Sequence, residues 1–327
     1  MIKIFVTGAN GLVGSNLCHK LIESGHKVTA MVRRESNLLG LKSFAGEIVY
    51  GDILDVENLC RLIEGSDFIF HTAGLVSFDN RRREELLRVN VEGTKNVMNV
   101  ALRAGVKRVV HTSSVAAIGI PPVGDMADED IEYNRQKYNI AYSDSKHFGE
   151  VEVEKAVQRG LDAVIVNPAS IVGQRDIYRH FGVLLRVLRG KRIVPYIRGG
   201  MCVVGVDDVV DGQIAALKLG KPGEKYILGS ENISFKNLIR KIGEVVGASV
   251  PNVYVPIWTA RLAALTLEIL SDITGEPPVL TRAHVVSATL PHYFSFEKAE
   301  RELGFQPRPI VDAIRKSHEW YVENNLI

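Results

Sequence analysis

The sequence predicts an α/β chain built on a doubly wound parallel sheet, with a smaller C-terminal α/β lobe. Three observations carry that prediction. Residues 2–6 form a nearly unbroken apolar, β-rich run, the pattern of a strand buried on both faces. A turn with Gly8, Gly11 and Gly14 follows, and residues 15–24 then read as a helix closed by Gly25. Strand and helix patterns alternate through the first half, which requires parallel strands with right-handed crossovers.

Further strands are expected at 27–32, 47–50, 67–71, 106–112 and 163–167. Helices fit between them at 56–64, 82–103 and 141–159, closing near Gly65, Gly105 and Gly160. After Pro168 the rhythm changes. A basic helical stretch at 177–192 leads to a strand at 201–206, and Asp207 is placed to cap a helix over 208–219. A strand at 225–228 and helices at 235–246, 256–274, 296–303 and 309–322 complete the chain. The expected division is a dinucleotide-binding domain over 1–168 and a substrate lobe over 169–327, with about 201–220 returning to the first domain.

With 327 residues, 46% of them hydrophobic, the chain can bury a large core, and its length exceeds the usual single domain. A formal charge of +2 without a long basic run argues against nucleic acid or an anionic membrane as a general partner. Cys18, Cys60 and Cys202 are scattered and lack metal-ligand spacing, as expected of small core residues in a reducing compartment. A strand pattern from residue 2 leaves no room for a signal peptide, so the cytoplasm is the expected location. The apolar stretch 253–270 is broken by Pro256, Arg261 and Glu268, and no membrane span is expected.

The glycines have separate tasks. Gly8 permits the tight turn, Gly11 lets backbone approach a pyrophosphate, and Gly14 lets the helix lie close on the strand. Asn10, Gly11, Leu12, Val13 and Gly14 then offer phosphates the positive end of a helix. An acidic residue ending the second strand would bond the ribose hydroxyls of NAD. Arg33 and Arg34 stand there instead and can neutralise a 2′-phosphate, which favours NADP(H), with NAD as the alternative. Asp52, followed by Ile53, is placed to accept from the adenine amino group. Thr72, Ala73 and Gly74 are small enough for backbone to lie against the cofactor. Asn90 would hold a water or a backbone group near the site.

Reduction of a carbonyl by a nicotinamide needs a hydride donor and a proton donor at one oxygen. Tyr142 and Lys146 lie four apart on one helical face. A tyrosine whose pKa falls from about 10 toward neutrality, a change worth roughly 4 kcal/mol, serves as that acid/base. A lysine charge about 4 Å away supplies roughly this much at an effective dielectric near 20. Tyr133 and Lys137 share the spacing but sit in a polar stretch without a following amphipathic helix, so Tyr142 and Lys146 are preferred. A serine from Thr112-Ser113-Ser114 would fix the carbonyl oxygen. No Gly-x-Ser-x-Gly elbow appears, and the histidines lack metal-ligand spacing; His111 and His147 read as packing residues.

These motifs resemble the extended short-chain dehydrogenase/reductase superfamily, together with the stretches Val89 to Thr94, Asn167 to Gly173, Val206 to Val209 and Glu302 to Phe305. Within it the chain is similar to the dihydroflavonol 4-reductase-like and epimerase/dehydratase group, including hopanoid-associated sugar epimerases. The resemblance implies a Rossmann fold. It gives Ser114 the catalytic serine role, Tyr142 the acid/base role and Lys146 the ribose-binding role, with Asn167, Pro168, Ala169, Ser170 and Ile171 along the nicotinamide. It also implies a homodimer formed through the helices carrying Asn90 and Tyr142. Ser113 and Ser114 stand where sugar-nucleotide 4,6-dehydratases carry an acidic pair. Met201 and Gly205 stand where nucleotide-sugar epimerases carry an arginine and a histidine, with Arg175, Arg179 and Arg198 as possible substitutes.

The expected activity is an NADP(H)-preferring reduction of a largely apolar ketone or aldehyde. A sugar epimerase and a non-catalytic NADP(H) sensor are the alternatives. The stretch 257–265 is expected either to wall the substrate pocket or to serve as a core or dimer helix.

Overall fold

The structure is a computed structural model that describes residues 2–122, 124–178, 181–251, 253–274, 278 and 280–327. Its first half runs β1 (Lys3–Thr7), α1 (Leu12–Glu23), β2 (Lys27–Val32), β3 (Glu47–Tyr50), α2 (Val56–Ile63) and β4 (Phe68–His71). Then come α3 (Arg83–Leu87), a π-helical turn Arg88–Glu92, α4 (Gly93–Ala104), β5 (Arg108–Thr112), α5 (Ala141–Gln158) and β6 (Ala163–Pro168). The second half runs β7 (Ser170–Val172), α6 (Gly182–Leu188), β8 (Pro195–Tyr196), β9 (Gly200–Gly205), α7 (Val206–Leu219) and β10 (Lys225–Leu228). It ends with β11 (Glu231–Ser234), α8 (Phe235–Val246), β12 (Val253–Tyr254), α9 (Ile257–Thr274), α10 (Arg282–Thr289), α11 (Glu297–Leu303) and α12 (Ile310–Glu323).

Seven parallel strands in the order β10-β6-β5-β4-β1-β2-β3 make the main sheet. β1, β5 and β6 are buried along nearly their whole length because helices cover both faces, with Val109, Val110 and Ala163 to Val166 apolar and His111, Thr112 and Asn167 buried toward the carboxyl ends. One core lies on each face, around Leu17, Phe70 and Val166 on one side and Leu59, Val97 and Ile165 on the other. The chain leaves β1 toward β2 and β3, then returns to β4 on β1's other side. That reversal opens a crevice beyond the carboxyl ends of β1 and β4, where such sheets bind ligands.

Several local expectations are corrected. α1 begins at Leu12, not residue 15, with Gly11 as its N-cap and no side-chain cap. The expected helix over 82–103 contains a π turn at Asn90, whose side chain is bonded across to another segment. The expected helix over 177–192 is regular only in α6, and Arg179 lies outside the described residues. α7 starts at Val206, so Asp207 does not cap it; its carboxylate accepts from Gln174 and Lys316. The segment 201–220 is divided: β9 joins a three-stranded sheet with β7 and β11, while α7 leads into β10 on the main sheet. Among the described residues, no helix is long and apolar enough to cross a membrane.

Candidate active site

The turns after β1 and β4 pack backbone to backbone at the floor of the crevice. Gly8 has φ of +66°, and a Cβ there would lie 2.5 Å from the Ala73 Cα. A Cβ on Gly14 would lie 2.4 Å from the Gly8 carbonyl oxygen and 2.7 Å from the Thr72 Oγ1. No acidic residue occupies the first turn of α1, which leaves that end positive. Thr72 donates to the Thr7 carbonyl at 2.6 Å, tying the two strand ends together. Asn10 donates to the Tyr178 hydroxyl at 2.8 Å. Such a glycine-lined, uncapped helix start fits a pyrophosphate, so these residues suit the dinucleotide expected from sequence.

Other residues expected along the cofactor are otherwise occupied or partly so. Arg33 and Arg34 are exposed at the end of β2; Arg33 pairs with Glu35 at 3.3 Å and Arg34 lies 5.7 Å from the Tyr50 ring centroid. One Asp52 oxygen accepts from the Leu54 N–H at 2.9 Å, an Asx-turn use. Ile53 does not open toward the crevice: its side chain is buried against Gly93, where a Cβ would lie 2.4 Å from its Cδ1. Ala169 is buried in the core, while Ser170 and Ile171 are part-exposed in β7.

At the end of β5, the Ser114 and Tyr142 side chains lie close together, and the Ser114 hydroxyl acts on the phenol to lower its pKa. Ser114 Oγ also accepts from the Ala116 N–H at 3.1 Å, which fixes its rotamer. Tyr142 is nearly buried and Lys146 lies one turn below it on α5. The Lys146 ammonium donates to the Thr112 carbonyl at 2.8 Å, and burial lowers its pKa to about 8. Burial also pushes the Tyr142 phenol above its ordinary value, opposed by the Ser114 hydroxyl. The sequence-based expectation of a phenol drawn down by Lys146 is therefore corrected for the protein alone. Here desolvation of the phenolate outweighs the other influences.

The rival pair is engaged elsewhere. Tyr133 donates to Asp144 at 2.7 Å and stacks on His147 at 4.0 Å, and Lys137 lies over the Tyr138 ring. Asn90 grips a backbone group: it accepts from the Leu75 N–H at 2.7 Å and donates to the Leu75 carbonyl and to Ser145, both at 2.9 Å. The π turn aims this amide at Leu75, just past Gly74, whose missing Cβ faces the Asn90 amide oxygen at 3.3 Å.

A buried network beneath Ser114 escaped sequence reasoning. Asn167 donates to the Ser114 carbonyl at 3.0 Å and to Glu150 at 2.6 Å, and Ser113 donates to the same Glu150 oxygen. The other Glu150 oxygen pairs with Lys225 at 2.9 Å. Glu150 lies four residues beyond Lys146 on the inner face of α5. That register is the only sequence signal for it.

Of the expected diphosphate substitutes, Arg175 donates to Asn16 at 2.9 Å and Arg198 lies 5.1 Å from the Tyr254 ring centroid. Met201 packs against the lobe core and Gly205 is the N-cap of α7. A cavity of about 470 Å³ lies on Phe78, whose ring is 5.6 Å from that of Tyr142. Its lining mixes Phe78, Leu265, Ile269 and Val286 with the charged Asp79, Arg81, Glu268, Asp272 and Arg282.

Comparison with known proteins places this geometry. Residues 4–229 match the model of the NAD-dependent epimerase/dehydratase family. A Synechocystis sp. chain provisionally named dihydroflavonol 4-reductase is 35% identical, over 99% of this chain and 95% of its own. Sterol demethylase protein B of Methylococcus capsulatus is 32% identical over 98% and 99%. A 3β-hydroxysteroid dehydrogenase/Δ5→4-isomerase of Mycobacterium tuberculosis is 30% identical over 93% and 86%. The crystal structure of gox2253 superposes with a TM-score of 0.86 at 34% identity, covering all of both chains. UDP-glucose 4-epimerase of Thermotoga maritima, at 21% identity and a TM-score of 0.80 over 99% and 100%, shares the fold.

Proposed function

This chain belongs to the NAD-dependent epimerase/dehydratase family, among the extended short-chain dehydrogenases/reductases, and from that premise we propose that it is an NADP(H)-preferring carbonyl reductase. The observation that carries the reading is the placement of Ser114 beside Tyr142 above the buried Lys146 at the end of β5, with Phe78 packed on the Tyr142 ring. Gly8 to Gly14 would hold the pyrophosphate, and Arg33 and Arg34 the 2′-phosphate. The nicotinamide, when bound, supplies or accepts the hydride. Ser114 orients the carbonyl oxygen. Tyr142, protonated at neutral pH as any phenol is and held further from ionisation by burial, gives its proton to that oxygen. Lys146 holds a positive charge below the phenol and steadies the phenolate left behind.

The substrate in this reading is a largely apolar ketone or aldehyde, or the matching alcohol in reverse. Relatives named for steroid and sterol chemistry support it, as does the apolar part of the neighbouring cavity's mixed lining, Phe78, Leu265, Ile269 and Val286. A nucleotide-sugar epimerase is less favoured because Met201 packs inward and Arg175 and Arg198 are held by Asn16 and Tyr254. The reading includes a homodimer through the helices carrying Asn90 and Tyr142, where Phe148 is exposed. Thermal shifts with NADPH and NADH, followed by NADPH consumption against ketones and aldehydes, test it. Larger stabilisation by NADPH and steady consumption are expected. Equal stabilisation would remove the role of Arg33 and Arg34, and tightly held NAD without net consumption would favour the epimerase.

A further inference from the structure

α9 is apolar on the side turned away from the protein. Its inner face carries the buried Ala264 and Ser271. On the opposite side Trp258, Leu262, Leu265, Ile269 and Ile273 recur at helical spacing as one stripe, with Trp258 66% and Ile273 77% exposed. A surface helix ordinarily turns polar residues outward, and a large contiguous apolar patch marks a binding surface. The helix's two carboxylates are tied at its flank, Glu268 to Arg282 at 2.6 Å and Asp272 to Arg81 at 2.6 Å. No unpaired acid therefore borders the stripe on α9.

A basic rim adjoins the start of this helix. Residues 181–200 contain Arg186, Arg189, Lys191, Arg192 and Arg198 and no acidic residue. Ile193, 72% exposed, lies within that segment just before β8, and β8 pairs with β12 immediately ahead of α9. Arg198 over the Tyr254 ring joins the two regions directly. The whole-chain charge of +2 conceals this concentration.

An exposed apolar stripe beside a cationic rim is complementary to the surface of an anionic lipid layer. Apolar side chains enter the acyl boundary, and cations meet the head groups. A two-fold pair of this face would bring basic segments of both copies to one interface. Leu265 and Ile269 lie at the edge of the stripe and also line the cavity that Phe78 borders.

We propose that α9 and the adjoining basic segment seat the protein on an anionic lipid surface, with the cavity opening toward the lipid. The surface itself stands apart from the assigned chemistry. The corollary that an apolar substrate enters from the lipid rests on the reductase reading.

The test is co-sedimentation of the full chain with phosphatidylcholine vesicles and with vesicles in which phosphatidylglycerol replaces roughly a third of the lipid. Binding is expected only to the anionic vesicles, weakening with salt, with Trp258 fluorescence quenched by brominated acyl chains. Leu262→Glu with Ile273→Glu should weaken binding about tenfold or more, and Arg189→Glu with Lys191→Glu should remove its salt dependence. Both variants should keep the parent's melting temperature and its turnover of a water-soluble aldehyde. Equal binding by parent and variants, or no binding to either vesicle, overturns the proposal. Self-association abolished by Leu262→Glu, without vesicle binding, would assign the stripe to a second copy. Vesicle binding without turnover of any carbonyl would instead overturn the reductase reading alone.

Discussion

The rim of the main sheet and the outer face of α9 treat their side chains in opposite ways. At the rim, polar groups are buried and bonded: Lys146 to the Thr112 carbonyl, Asn167 to the Ser114 carbonyl, and Glu150 to Ser113, Asn167 and Lys225. Along α9, large apolar groups stand in water while the carboxylates beside them are tied by arginines. Desolvated, fixed polar groups serve proton transfer, because nothing must reorganise when charge moves. An apolar face left outside gives folding nothing, so its use lies in what it meets. The contrast separates the part of the molecule where substitutions should damage chemistry or stability from the part where they should damage neither.

The largest effect belongs to the phenol. Tyr142→Phe keeps the ring that packs on Phe78 and removes only the hydroxyl. Turnover should fall about a thousandfold, within the range for a lost general acid, while the melting temperature stays close to the parent's. A loss below tenfold would mean that the proton comes from another group. Glu150→Gln comes next: it leaves Lys225 without one of its two carboxylates and loosens the Asn167 strap on Ser114. A stability loss of about 3 kcal/mol in denaturant unfolding is expected, with reduced turnover, and Lys225→Met in the same chain should restore part of the stability.

The rim also fixes a pH dependence. Burial holds the folded Lys146 at about 8, below its ordinary 10.5, so the folded state bears a cost while the amine is charged. That cost is fully present below about pH 8 and fades as pH rises toward 10.5, where the unfolded state binds more protons. Lys146→Met should therefore raise stability at neutral pH, and the gain should vanish at high pH. Turnover by the parent should decline as pH rises through about 8, and Lys146→Arg should move that decline upward. A flat profile would remove the lysine charge from the reaction. Arg33→Ser with Arg34→Ser should have a smaller effect, raising the KM for NADPH about tenfold and leaving that for NADH unchanged.

Residues that act through local pattern were legible in the sequence. β1, β5 and β6 announce themselves by apolar runs, and the glycine spacing fixes the turn because Gly8 and Gly14 face backbone that no Cβ would clear. Tyr142 was separable from Tyr133 because only Tyr142 opens an amphipathic helix. What escaped depends on distant partners. Glu150 meets Ser113 across 37 positions and Lys225 across the sheet, and nothing local distinguishes it from a surface glutamate. Ile53 follows Asp52 in sequence but turns into the core, since a strand-end loop can send neighbours in opposite directions. The π turn at Asn90 follows from a long-range bond to Leu75 that helical periodicity cannot express. The pKa of Tyr142 moved against expectation because spacing carries the charge of Lys146 but not the burial that opposes ionisation.

The smallest predicted effect bears most directly on the contrast between rim and helix. Leu262 is 59% exposed, so Leu262→Ser removes a side chain that shields little. If the outer face of α9 contributes nothing to folding, the variant should unfold within about 0.5 kcal/mol of the parent in denaturant. A leucine packed in a core or in an obligate pairing of chains would cost about 2–5 kcal/mol when truncated. A loss of that size, measured well above any dissociation constant, would mean that the stripe is already covered in the native assembly, and the opposition between buried rim and open helix would fail. A negligible loss would leave an apolar face that folding does not need.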